Sequence, residues 1–145
     1  MTCFRGRRAA SSLLVALAAV SLGLASCSSD DSETASTTTT KAPEDIIVPD
    51  REVTAGLASL RTLFQSARDA IASKSATVSS YPDQLEDAWF AIEGTIKKND
   101  PASYITFEDA LARMNNAATR GEVAEATKAV DAFNTTADAY LAEHP

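Results

Sequence analysis

Beyond Pro49 the apolar residues recur at steps of three and four. Val53, Leu57, Leu60, Phe64, Ala67 and Ile71 fall on one stripe of a helix. Asp50 is placed as its N-cap, and Val78 falls on the same stripe, so the spacing predicts a helix able to continue past Ser73. Ser79-Ser80-Tyr81-Pro82-Asp83 stops it and starts the next, with Pro82 in the first turn. A second helix is predicted from Pro82 to Lys98, with Leu85, Trp89, Ile92 and Ile96 as its stripe. Asn99-Asp100-Pro101 is a sharp break, with Asp100 as N-cap and Pro101 at the first helical position. The third helix carries Tyr104, Phe107, Leu111, Met114 and Ala118, and closes at Arg120-Gly121, where glycine suits a left-handed cap. The fourth runs from Glu122 to Glu143, with Val123, Ala126, Val130, Phe133, Ala137 and Leu141 inward.

No segment alternates with the period of two that marks a half-buried strand. The later connections are short, so neighbouring helices are expected to run antiparallel. Four single-striped helices bury their faces most economically as an up-and-down four-helix bundle. The expected fold class is therefore all-α, with residues 49–145 as the bundle.

The N-terminal part has a different pattern. Arg5, Arg7 and Arg8 precede an apolar run from Leu13 to Leu24, broken by Ser21 and Gly23. This is the layout of an export signal. The run is shorter than the roughly 20 residues a membrane-spanning helix needs. It ends in Leu24-Ala25-Ser26-Cys27, which resembles the lipobox of bacterial lipoproteins. The resemblance implies cleavage of a signal peptide, residues 1–26, and lipid on Cys27. It also implies extracytoplasmic attachment to the cell membrane, stable where two or more acyl chains are present. Residues 27–48, rich in Ser, Thr and acids, read as a disordered tether, since they have almost nothing to bury. Thr37–Thr40 is a run that could take O-linked sugar or serve as plain spacer.

Charge narrows the partners. The chain has 13 basic and 20 acidic residues, and the leader holds three of the arginines and none of the acids, so the remainder carries −10. That argues against nucleic acid and against direct adhesion to anionic lipid. Cys3 lies in the leader and Cys27 receives lipid, so no disulfide is expected. The single histidine, His144, is near the C-terminus, and no Glu-x-x-His pair or glycine-rich phosphate loop is present. These features predict a protein that is not an enzyme.

The candidate chemistry lies in the second and third helices. Glu86 and Glu93, seven residues apart, flank the Trp89 stripe, and Glu108 follows Tyr104 by four at the edge of its own stripe. Carboxylates at the border of an apolar face could hold a hard or intermediate metal cation, with Trp89 and Tyr104 beside it. The competing reading pairs the same acids with bases. Arg61 and Arg68 share the seven-residue spacing, and Lys97 is four after Glu93. Trp89 then serves as a core anchor, and Tyr81, Tyr104 and Tyr140 sit half-buried with hydroxyls at the rim.

The run from Tyr81 to Gly121 resembles the helical extracytoplasmic domains that accompany bacterial iron permeases. The shared pattern is an acid at Glu86, Ile92-Glu93, the Asp100-Pro101 turn, Tyr104 and Phe107-Glu108. The resemblance implies iron capture, or a scaffold beside a membrane transporter. The histidine-containing motif of the binding members is missing. The expectation is a membrane-anchored binding or accessory lipoprotein in iron or other metal-ion uptake. The alternative is a structural envelope lipoprotein that contacts proteins and binds no ligand.

Overall fold

The apolar stripes become buried seams in a computed structural model that describes residues 42–145. The expected signal peptide, the lipidated Cys27 and tether residues 27–41 lie outside the described residues. After a 3-10 turn at Pro43–Asp45 come α1 (Asp50–Ala72), a second 3-10 turn (Ala76–Ser80), α2 (Tyr81–Phe90), α3 (Glu93–Asn99), α4 (Pro101–Arg120) and α5 (Val123–Glu143). The fold class is all-α, with no strand among the described residues. None of the described helices is long and apolar enough to cross a membrane.

Side-chain pairings give the helix directions. Phe64 stacks on Phe133 at 4.4 Å between ring centroids, and Arg61 pairs with Asp138. Numbers rise along α1 as they fall along α5, so the two run antiparallel. Phe107 meets Phe133 at 5.1 Å and Arg113 meets Glu125 at 3.0 Å, which makes α4 and α5 antiparallel. Trp89 of α2 lies 5.4 Å from Phe107, and the Lys97 ammonium of α3 lies 5.4 Å from the Tyr104 ring centre. The α2–α3 segment therefore runs opposite to α4. Phe64, Trp89, Phe107, Phe133 and Tyr140 are buried together with Leu57, Leu60, Leu85, Ile96 and Met114. Burying one such large apolar side chain contributes about 1.5–3 kcal/mol.

The helix ends show where local chemistry overrides periodicity. Asp100 caps α4 as expected, accepting from the amides of Ala102 and Ser103. Gly121 ends α4 in the left-handed region, and the Glu122 amide reaches back to the Ala117 carbonyl. The first helix does not continue past Ser73. Lys74 takes φ 53°, and the Ser75 amide reaches the Ala70 carbonyl at 2.9 Å, closing the helix with the geometry usually reserved for glycine. Val78 still packs on the core, from the 3-10 turn that follows. Asp50 is the first helical residue rather than its side-chain cap; Pro49 occupies the cap position. Val123, in the first turn of α5, is 40% exposed, beyond the last buried layer at Ala126. Tyr140 is buried outright, where the sequence suggests a half-buried rim position.

The second helix is two helices. The Ile92 amide donates to the Trp89 carbonyl, three residues back, and Ile92 leaves helical geometry at φ −128°. Five successive residues, Ile92 to Ile96, are buried. A helix buried all round needs cover on the side away from the core. That cover is Ala42–Val48, the part of the expected tether that the structure describes. It forms a strap rather than free chain. The Thr95 hydroxyl receives the Val48 amide at 2.7 Å and donates to the Val48 carbonyl at 3.0 Å. A Cβ on Gly94 would come within 2.2 Å of the Ile46 carbonyl oxygen, so the strap seats where only glycine fits.

Candidate functional site

The site is built where α2, α3 and α4 meet. The first turn of α4, fixed by the Asp100 cap, sends Tyr104, Phe107 and Glu108 toward α2 in successive turns. Trp89, buried at 2% exposure, stacks on Tyr104 at 5.9 Å and donates its indole N–H to the Glu108 carboxylate. Burying an indole commonly requires such a partner. The acceptor that satisfies Trp89 is thus one of the candidate acids.

Glu86, one helical turn before Trp89, is exposed and lines a cleft of about 160 Å³. The rest of the lining is Trp89, Phe90, Glu108, Leu111, Ala112 and Asn115. The floor is apolar and aromatic, two carboxylates border it, and no basic side chain lines it. Asn115 contributes a buried carbonyl oxygen with no hydrogen-bond partner.

Glu93 sits apart from that cleft, in the first turn of α3, at 4% exposure. Burial pushes its carboxyl above the usual range, and the charges of Glu108 and Glu44 push it further. Lys97 and the Trp89 N–H pull the other way. The Tyr104 hydroxyl is raised by the same surroundings, first by burial and then by Glu108, Glu93 and Glu44. The region therefore carries dense negative potential over an aromatic base.

The bases expected opposite these acids go elsewhere. Arg61 pairs with Asp138 on α5, and Arg68 with its neighbour Asp69. Lys97 reaches Glu44 of the strap at 3.6 Å, not Glu93. Among the described residues, Glu86, Glu93 and Glu108 form no ion pair with Lys or Arg. They also do not draw together as one ligand set. The described residues that bring three donor atoms within 4.8 Å of one another are Asp100, Glu143 and His144. The sequence named Trp89, Tyr104 and Glu108 as candidate site residues on two helices, and packing brings the three together. The stripe spacing carried no signal for Asn115 or Glu44, which reach the region from a later turn of α4 and from the strap.

Comparison with protein-family models, with curated proteins and with solved structures gives no match. The described residues form an all-α fold.

Proposed function

We propose that this protein is a non-catalytic binding module for a small organic cation, held in the cleft between α2 and α4. The observation that carries the reading is that Glu86 and Glu108 border one apolar-floored cleft lined by no base. Every charged group lining it is an acceptor, so an ammonium or guanidinium would be matched in charge. Phe90, exposed beside the cleft, adds aromatic surface, which attracts cations through the ring quadrupole. The cleft is smaller than the roughly 300–1,000 Å³ of sites for drug-sized molecules, which suits a short amine.

The helices are read as an up-and-down antiparallel four-helix bundle, with α2 and α3 as two halves of the second arm. The antiparallel pairings of α1 with α5, α5 with α4, and α4 with α2–α3 support this. The leader, the lipidated Cys27 and the acidic tether make it an extracytoplasmic lipoprotein, positioned to receive its ligand near a membrane transporter. Iron or another metal ion is the second reading, placed beside the cleft at Tyr104 and favoured by the negative potential of Glu108, Glu93 and Glu44 there. A structural envelope lipoprotein without ligand is the remaining reading.

Trp89 is the one tryptophan of the chain, which makes its emission a direct probe. Titrating the full-length chain in detergent with ethylammonium or methylguanidinium is expected to shift that emission saturably. Glu108→Gln and Glu86→Gln should each weaken the binding about tenfold, the order of a lost charge-assisted hydrogen bond. A response to iron salts and not to the amines selects the metal reading. No response to either removes the cleft as a site and leaves the structural role.

A further inference from the structure

We infer that Asp100, Glu143 and His144 bind one divalent transition-metal ion, at a second site independent of the cleft. The three supply one imidazole and two carboxylates from two helix ends, the start of α4 and the end of α5. Their donor atoms lie within 4.8 Å of one another. Among the described residues, no ion pair or hydrogen bond joins His144 to either carboxylate. The donors therefore share a space without satisfying each other. Two ligands on one ion, each about 2.0–2.2 Å from it, stand roughly 3–4 Å apart, so small side-chain rotations would close the set.

Both halves are held in place. The Asp100 Oδ1 accepts from the amides of Ala102 at 3.0 Å and Ser103 at 3.1 Å, which pins the carboxylate to the helix start. The His144 amide donates to the Tyr140 carbonyl at 2.9 Å, and its ring lies 4.5 Å from the Tyr140 ring. Tyr140 is buried, and its hydroxyl receives the side-chain amide of Asn99, the residue before Asp100, at 3.2 Å. This part-buried contact thus ties the end of α5 to the residue before Asp100. The nitrogen donor favours Zn²⁺, Co²⁺ or Ni²⁺ over Mg²⁺ and Ca²⁺, which prefer all-oxygen shells. Three protein ligands leave the remaining positions to water.

The test is calorimetric titration of the full-length chain in detergent with Zn²⁺ and with Co²⁺, together with NMR of the His144 ring protons. The expected result is one ion per chain and a shift of the ring signals. Binding should weaken in acid, where protons compete with the metal ion for its ligands. His144→Ala and Asp100→Asn should each lower affinity at least tenfold. Asparagine caps helices as well as aspartate, so Asp100→Asn removes charge while keeping the helix start, and an unchanged melting temperature checks this. Glu108→Gln should leave this affinity unchanged. Affinity untouched by His144→Ala overturns the assignment, as does loss of binding in Glu108→Gln with the Asp100 and His144 variants intact. Failure of the cleft to bind amines has no bearing on these readouts.

Discussion

Lys74 and Gly121 hold the same left-handed backbone, at φ 53° and φ 71°, and only one of them is glycine. A residue with a Cβ costs about 1–2 kcal/mol in that region. Lys74→Gly is therefore expected to raise stability by up to about 1 kcal/mol, after the entropy glycine adds to the unfolded chain. Gly121→Ala, with open space around it, should lower stability by a similar amount through backbone strain alone. Urea denaturation of both variants reads the pair. Gly121 was legible as a helix end because glycine announces that conformation; Lys74 announces nothing, which is why α1 reads as longer than it is. Glu93 is the other residue with a measurable signature. Its carboxyl is raised by burial first, then by Glu108 and Glu44, so the folded protein binds its proton more tightly than the unfolded chain. The stability this gives is present below the ordinary value of about 4.5 and is lost as pH rises through the raised folded value. Glu93→Gln, which mimics the neutral acid, should be more stable than the parent at pH 7 and indistinguishable from it below pH ~4. Melting temperatures across that range check it; a parent that gains on the variant as pH rises would contradict the assigned burial.

Among the elements, the strap and the break in the second helix belong together. The stripe Leu85, Trp89, Ile92 and Ile96 was readable and all four residues are buried. What it could not show is that Gly94 and Thr95 are buried too, because their cover comes from about 47 residues earlier in the chain. Residues 42–48 look like tether by composition, and one threonine and one glycine on α3 turn them into packed structure. Gly94→Ala would drive a methyl group into the Ile46 carbonyl oxygen. The expected outcome is loss of hydrogen-exchange protection at the Val48 amide and a destabilisation of about 1–3 kcal/mol, typical of overpacking. The α4 and α5 amides should keep their protection. Protection lost evenly throughout would mean that the strap is not a separable unit.

For the whole molecule, net charge bears on the proposed anchorage. A domain and tether carrying −10 should stay clear of anionic lipid surfaces, so the proposed attachment would rest on lipid at Cys27. Cys27→Ser is expected to move the protein from the membrane fraction to the soluble extracytoplasmic fraction on cell fractionation. A variant still recovered with membranes after a high-salt wash would refute lipid anchorage as the means of attachment. The candidate site depends on the same scale. Glu86, Trp89 and Glu108 meet only because α2 and α4 pack side by side, and the fate of each acid follows from where the bases go.

Spacing along the chain was enough to establish helices, their apolar faces, and the Asp100 and Gly121 ends. Those features rest on local geometry, 3.6 residues per turn and the chemistry of caps, which a short window contains. Which base faces which acid was decided by packing: Arg61 goes to Asp138 and Lys97 to Glu44, partners 77 and 53 residues away. The same holds for the strap over Gly94 and for the meeting of Asp100, Glu143 and His144. Side-chain charges leave many pairings nearly equal in energy in solvent. The rotation of each helix about its axis, imposed by close packing of Phe64, Phe107 and Phe133, selects among them.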